Sequence, residues 1–195
     1  EQRYLARNPA APSPPTVVRP AADYDAGRVY PASRLLERFN DPDNANRVTS
    51  ACGVGVYRDT VLGDHYYGNA FVCEPVHNLV HRMVLEGDGP TLKRRRGEPG
   101  GEFFASTDNW CRPVQVRTGP DGALWFVERD RNRIGRITTG GTITEFAIPT
   151  AGSDSQFISQ GPDGALWFTE RAANKIGRVT TTGAITEYAV PTSGA

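Results

Sequence analysis

Gly119-Pro-Asp-Gly-Ala-Leu-Trp-Phe126 returns unchanged, 42 residues later, as Gly161-Pro-Asp-Gly-Ala-Leu-Trp-Phe168. Laid side by side without a gap, residues 119–150 and 161–192 agree at 23 of 32 positions. A fixed period of this length marks one supersecondary unit that hides its apolar face only by stacking on its neighbours. Within the unit, Val114, Val116 and Thr118 alternate with polar residues, the period of a strand. Pro120-Asp121-Gly122 is a turn, because proline presets φ and glycine accepts positive φ. Ala123 to Glu128, Ile134 to Thr138 and Thr142 to Ile148 are three further strands, separated by Arg129–Arg133 and by Gly140-Gly141. Four short antiparallel strands per period of about 40–45 residues is a β-propeller blade.

A third, weaker copy lies upstream. Residues 68–85, shifted by 54, fall on 122–139 with Gly68 on Gly122, Phe71 on Trp125, Glu74 on Glu128 and Asn78 on Asn132. Val80 then meets Ile134 and Arg82 meets Arg136. Cys52 to Tyr57 supplies the inner strand of this blade, Asp88-Gly89 a hairpin turn, and Thr91 to Arg95 the outer strand. The predicted architecture is all-β: a propeller fragment of about three four-stranded blades with a 42-residue repeat. Its divisions are an irregular N-terminal segment (1–45), a divergent long-looped blade (46–110) and two regular blades (111–150 and 151–195). Five prolines between Pro9 and Pro20 discourage regular structure in the first segment. Arg34 to Phe39 reads equally as a short helix or a strand.

The 195 residues carry 22 basic and 22 acidic side chains, so the formal charge is zero. That balance argues against a general nucleic-acid surface. Lys93-Arg94-Arg95-Arg96 is the one basic run, and it falls on the outer strand, where charge discourages edge-to-edge pairing. No apolar stretch is long enough to cross a membrane as a helix. The chain starts at Glu1 rather than methionine, and its ends read as cuts or processing sites. Three blades are fewer than the four to eight that usually close a ring, so missing blades or self-association are expected. There are three cysteines and no Cys-x-x-Cys pair, which leaves a cysteine zinc site or haem attachment unsupported. A hairpin folds Cys52 and Cys73 toward each other; a disulfide between them and two buried free thiols are both open, with Cys111 left over.

The two halves resemble different families. "GPDGALWFTE…NKIGRVTTTGAITEY", Gly161 to Tyr188, with its copy from Gly119, resembles the virginiamycin B (streptogramin) lyases. "YPASRLLERFNDPDNANRVTSACGVGVYRD", "GNAFVCEPVHNLVHRMVLE" and "FFASTDNWCRPVQVRTGPDGALW" resemble the membrane-bound dehydrogenase domain of planctomycete-type bacteria, a propeller similar to sugar and sorbosone dehydrogenases. The second resemblance spans about Tyr30 to Trp125 and departs at Cys111, where phenylalanine is expected, and wholly after Phe126. It implies a bacterial, extracytoplasmic (periplasmic or secreted) protein, a quinone-type cofactor and oxidation of a sugar-like alcohol. The first implies magnesium-assisted lyase chemistry.

Blade geometry gathers the candidate ligand-binding residues. Loops between strands two and three, and loops linking blades, share one rim. Glu74, His77, Asn78, Asp108, Asn109, Trp110, Arg112, Glu128, Gln156 and Glu170 fall near it. Asp108, Asn109 and Arg112 suit polyol or carboxylate binding, with Trp110 as a stacking platform for a small molecule or carbohydrate, and they suit a structural blade junction equally. The lyase resemblance implies a catalytic histidine 14 residues before the glutamate that ends the second strand. Glu128 and Glu170 match the glutamate, but Val114 and Gln156 stand where the histidine belongs, and neither moves a proton near pH 7. His77 and His81 are four apart, yet a turn at Asn78 lies between them, so a helical metal pair is unsupported. His65 belongs to a loop of the opposite rim. Three readings follow: a sugar-dehydrogenase-like propeller inactive by itself, a lyase-like propeller lacking its histidine, and a non-catalytic recognition module.

Overall fold

The computed structural model describes residues 28–32, 46–88, 91–138 and 141–191. Three four-stranded antiparallel sheets follow one another along the chain. Blade 1 contains β3 (Cys52–Val56), β4 (Ala70–Glu74), β5 (Leu79–Asp88) and β6 (Thr91–Arg96). Blade 2 contains β8 (Pro113–Thr118), β9 (Leu124–Glu128), β10 (Arg133–Ile137) and β11 (Ile143–Ala147). Blade 3 contains β12 (Ser155–Gln160), β13 (Leu166–Glu170), β14 (Lys175–Val179) and β15 (Ile185–Ala189). Every strand predicted from the repeat is present within a residue or two. The architecture is that of a propeller fragment.

The register explains why β9 reads as an unbroken apolar run. All five of its residues are buried, because the sheet is covered on both faces. Leu124 and Phe126 join Phe71, Val80 and Val116 in the layer between blades 1 and 2. Trp125 and Val127 join Ile134, Ile158 and Phe168 in the layer between blades 2 and 3. Each fully buried aromatic or aliphatic side chain contributes roughly 1.5–3 kcal/mol. Tyr57 stitches the first junction further: its hydroxyl donates to the Gly122 carbonyl at 2.7 Å and accepts from the Leu62 amide at 2.9 Å.

The repeated motif is a structural clamp. Asp121 Oδ1 accepts from Trp125 Nε1 at 2.9 Å while Asp121 Oδ2 accepts from Arg136 Nε at 2.7 Å, and the guanidinium lies over the indole. Blade 3 repeats it with Asp163, Trp167 and Arg178 at 3.0 and 2.6 Å. Gly135 and Gly177 are required because a Cβ there would stand 2.2 and 2.1 Å from the ring carbons of Phe126 and Phe168. Blade 1 exchanges these volumes: Val72 replaces the phenylalanine and its cross-strand partner is His81 rather than glycine.

Three features lie outside the sequence reading. β1 (Arg28–Val29) pairs with β2 (Asn46–Arg47), so a small two-stranded sheet crosses the boundary drawn at residue 45. β7 (Phe104–Ala105) adds to β5 inside a segment read as loop. The basic run is only in part a solvated edge: Arg96 is 7% exposed, bonds Glu102 and the Arg28 carbonyl, and packs over Tyr30. A buried carboxylate partner at Glu102 reverses the edge argument for that one residue. The Arg34–Phe39 segment, the glycine of the Asp88-Gly89 turn and Gly140 lie outside the described residues. Among the described residues no helix is long and apolar enough to cross a membrane.

Candidate functional site

The site is built where the inner strands begin, a surface we call the upper rim. Here β4, β9 and β13 end in Glu74, Glu128 and Glu170, and each returns through a four-residue turn. Asn78, Asn132 and Asn174 close these turns with φ of 55°, 56° and 52°, the left-handed region that asparagine tolerates. Their side chains tie the turn to the linker between blades. Asn132 Nδ2 donates to the Ile148 and Thr150 carbonyls at 3.0 and 2.9 Å, and its Oδ1 accepts from the Ser153 amide and hydroxyl. Asn78 Oδ1 accepts from the Arg112 amide at 3.3 Å, and its Nδ2 donates to Asn109. Asn78 is buried and serves as a structural staple.

The sequence candidates divide into two groups. Glu74, His77, Asn78, Asn109 and Arg112 form one connected cluster at the junction of blades 1 and 2. Glu74 is buried and receives hydrogen bonds from Thr49 Oγ1 at 2.9 Å and the Ser50 amide at 2.9 and 3.0 Å. His77, also buried, meets the same carboxylate through Nδ1 at 3.2 Å. Burial alone would raise the Glu74 carboxyl, but the hydrogen bonds from His77, Thr49 and Ser50 outweigh it and hold it below the ordinary value. Beside this cluster, Asp108 accepts from the Trp110 amide at 2.9 Å and pairs with Arg131, while the Trp110 indole stands 66% exposed. Arg112 pairs with Asp130 at 3.2 Å.

Glu128 and Glu170 form the second group and behave differently. Both are buried, and neither oxygen of either carboxyl has a hydrogen-bond partner among the described residues. The Cys111 thiol lies beside Glu128, and the Glu187 carboxylate lies beside Glu170. Burial, reinforced by repulsion from Glu145, pushes the Glu128 carboxyl up to about 7. Burial, reinforced by Glu187, does the same at Glu170, again to about 7. Each is therefore an acid poised near neutrality and able to donate as well as accept.

What each glutamate would need is a second proton carrier, and the backbone presents a position for one. All three inner strands carry a β-bulge one residue after they begin: the register shifts between Cys52 and Gly55, between Pro113 and Gln115, and between Ser155 and Ile158. A bulge re-aims the side chain of the extra residue. The shift contains Val114 in blade 2, Gln156 and Phe157 in blade 3, and Gly53 and Val54 in blade 1. Glycine at 53 and 55 has its own cause, since a Cβ would stand 2.2 Å from the Val114 carbonyl oxygen and 2.7 Å from that of Val116. Gln156 Nε2 reaches the Asp154 carboxylate at 3.3 and 3.4 Å. Asp154 also takes Arg129 Nε and Arg171 Nε, each at 2.6 Å, binding the turns of blades 2 and 3 into one charged ridge. The Arg129 hydrogen bond leads the causes that hold the Asp154 carboxyl below its usual range.

Among the described residues no group of three or more histidine, cysteine or carboxylate side chains is arranged to hold a metal ion. The magnesium implied by the lyase resemblance thus has no assembled donor set among the described residues. His81 lies apart from His77: its Nδ1 meets Glu102 at 2.7 Å, in a buried cluster with Arg96. Cys52 and Cys73 are direct cross-strand partners, and all three cysteines are free thiols.

Known proteins share this blade architecture. The virginiamycin B lyase family matches residues 95–195, and a domain of unknown function, DUF7133, matches residues 1–135. No curated protein sequence matches at a significant level. Among solved structures, a streptogramin B lyase is 33% identical over 74% of this chain and 42% of its own, with a TM-score of 0.57. A catalytically inactive histidine-to-alanine variant of virginiamycin B lyase from Staphylococcus aureus, solved with quinupristin, is 33% identical over 78% of this chain and 46% of its own, with a TM-score of 0.59. A gluconolactonase from Xanthomonas campestris shares the fold at 15% identity, with a TM-score of 0.51 over 92% of this chain. The chain spans less than half the length of these lyases. The dehydrogenase resemblance of residues 30–125 is not carried by these matches. Through residues 95–195, and with DUF7133 over its first 135 residues, the chain belongs to the virginiamycin B lyase family.

Proposed function

We propose that this chain is a non-lytic, ligand-recognising propeller segment of the lyase family. One observation carries the reading: the glutamates are kept at Glu128 and Glu170, while the bulge positions that should present a histidine hold Val114 and Gln156. A buried acid near pH 7 without a basic partner has nothing to complete an acid–base pair, a loss worth about 10²–10⁴-fold in rate. The upper rim keeps the features of a recognition surface. Trp110 offers an exposed indole, framed by Asp108, Asn109 and Arg112, and such a set stacks on and hydrogen-bonds to a sugar ring or an aromatic macrocycle.

Titration of the protein with quinupristin and with a panel of neutral oligosaccharides, followed by tryptophan fluorescence and by mass spectrometry of the ligand, tests this. At least one ligand is expected to bind saturably with its mass unchanged, and Trp110→Ala is expected to weaken binding tenfold or more. A ligand consumed by the protein, or binding indifferent to Trp110, would overturn the reading.

A further inference from the structure

The upper rim leaves the other end of the inner strands unexplained. There β3, β8 and β12 finish around a cleft of about 550 Å³, lined by backbone and side chains from Val54 to Asp59, from Val116 to Pro120, and by Ser159 and Gln160. Its size is that of a small-molecule site. Two arginines face it, and neither has a carboxylate partner among the described residues. Arg117 is held in place by one nitrogen only: Nη1 donates to the Val54 carbonyl at 2.8 Å and to the Val116 carbonyl at 3.0 Å. Its Nε and Nη2 donors have no protein partner among the described residues. Arg58 is exposed and unpaired there as well. The one acidic residue on the wall, Asp59, turns Oδ1 to the Thr60 and Val61 amides at 2.7 and 3.0 Å. The cleft therefore holds two positive charges against one negative, with Thr118, Ser159 and Gln160 as neutral hydrogen-bonding groups.

We infer that this lower cleft is a binding site for a small oxyanion-bearing molecule, with its carboxylate or phosphate group held between Arg58 and the open edge of Arg117. An arginine oriented by carbonyls on one nitrogen presents its remaining donors as a preformed fork, the geometry that matches two oxygens of one anion. Fixing the guanidinium in advance removes the ordering cost that a mobile surface arginine would meet on binding. The Thr118 hydroxyl and the Ser159 and Gln160 side chains then read the polar body of the ligand. Gly55 is part of the construction, because its missing Cβ lets β3 approach β8 closely enough for Arg117 to span them. This site is independent of the upper rim and of the function proposed for it.

The test uses inorganic phosphate and malonate, titrated separately at low ionic strength and followed by the side-chain Nε–H resonances of the arginines. Saturable shifts of Arg117 and Arg58 with at least one of the two anions are expected. Binding should weaken tenfold or more in Arg58→Gln and in Arg117→Gln, and should be unchanged in Glu128→Gln/Glu170→Gln at the opposite rim. Arg58 is exposed, so its variant reports on binding even if Arg117→Gln loosens the junction between blades. Shifts by phosphate alone or by malonate alone would identify the anion class. No saturable shift with either anion, or affinity retained in Arg58→Gln, would overturn the proposal.

Discussion

Glu128 and Glu170 differ from Glu74 in their donors: among the described residues no hydroxyl, imidazole or backbone amide reaches them. Their positions were legible, since the repeat aligns all three glutamates. Their surroundings were not, because these depend on residues before each inner strand: Thr49 and Ser50 reach back in blade 1, only the Cys111 thiol lies beside Glu128 in blade 2, and no described hydroxyl or amide reaches Glu128 or Glu170. The consequence is a pH dependence. An acid whose folded value is raised to about 7 holds its proton in the folded chain while the unfolded chain has released it. Stability is therefore lost as pH rises between about 4.5 and 7, and is flat above that window. Thermal melts from pH 5 to 8 should show a falling midpoint, and Glu128→Gln/Glu170→Gln should remove most of the slope. A midpoint that rises through this range, or a slope the double variant keeps, would show that the two carboxyls are ionised in the fold.

At the scale of the element, the blade motif was read correctly as strands and turns, but its chemistry came only with the third dimension. Proline, aspartate and glycine announce the turn after β8. They do not announce that Asp121 then holds both Trp125 and Arg136. The upstream blade was legible through its glycine, asparagine and arginine positions, even though Val72 and His81 had exchanged the volumes of Phe126 and Gly135. The inner-strand bulges were not legible, because strands of five or six residues are too short for one extra residue to show as a break in the alternation. The clamp gives a graded prediction. Trp125 is fully buried under blade 3 and the Asp121 side chain is 16% exposed, whereas Asp163 of the copy is 36% exposed and has its carboxyl held at about 2 through Trp167 and Arg178. Asp121→Ala should cost roughly 1–3 kcal/mol in denaturant unfolding, the penalty of stranding buried donors. Asp163→Ala should cost clearly less. Equal losses would mean that burial does not set the strength of the clamp.

The whole molecule shows the same surface twice, once covered and once bare. Trp125 and Val127 of blade 2 pack against blade 3, and Trp125 stacks on Phe146 at 5.5 Å. In blade 3 the matching Trp167 stacks on Tyr188 at 5.6 Å, but Phe157 and Tyr188 are 61% and 47% exposed. A face that buries an apolar layer in one blade and leaves it open in the next calls for another blade of the same kind. The chain in solution is therefore expected to associate through blade 3, with a second copy as the covering element. Light scattering should report species larger than the 21.2 kDa chain, and Phe157→Glu should shift them toward the monomer. A monodisperse monomer of the unmodified chain would contradict this.

The proposal that the lyase blade stands here without its acid–base pair is checked by incubating the purified chain with quinupristin and magnesium and following ring opening by mass spectrometry. No turnover by the unmodified chain is expected. At most a trace is expected from Gln156→His, which restores a histidine 14 residues before Glu170 without rebuilding the rest of the pocket. Magnesium-dependent opening of quinupristin by the unmodified chain would overturn this reading, because these three blades would then have to supply a proton carrier at a position other than Val114 and Gln156.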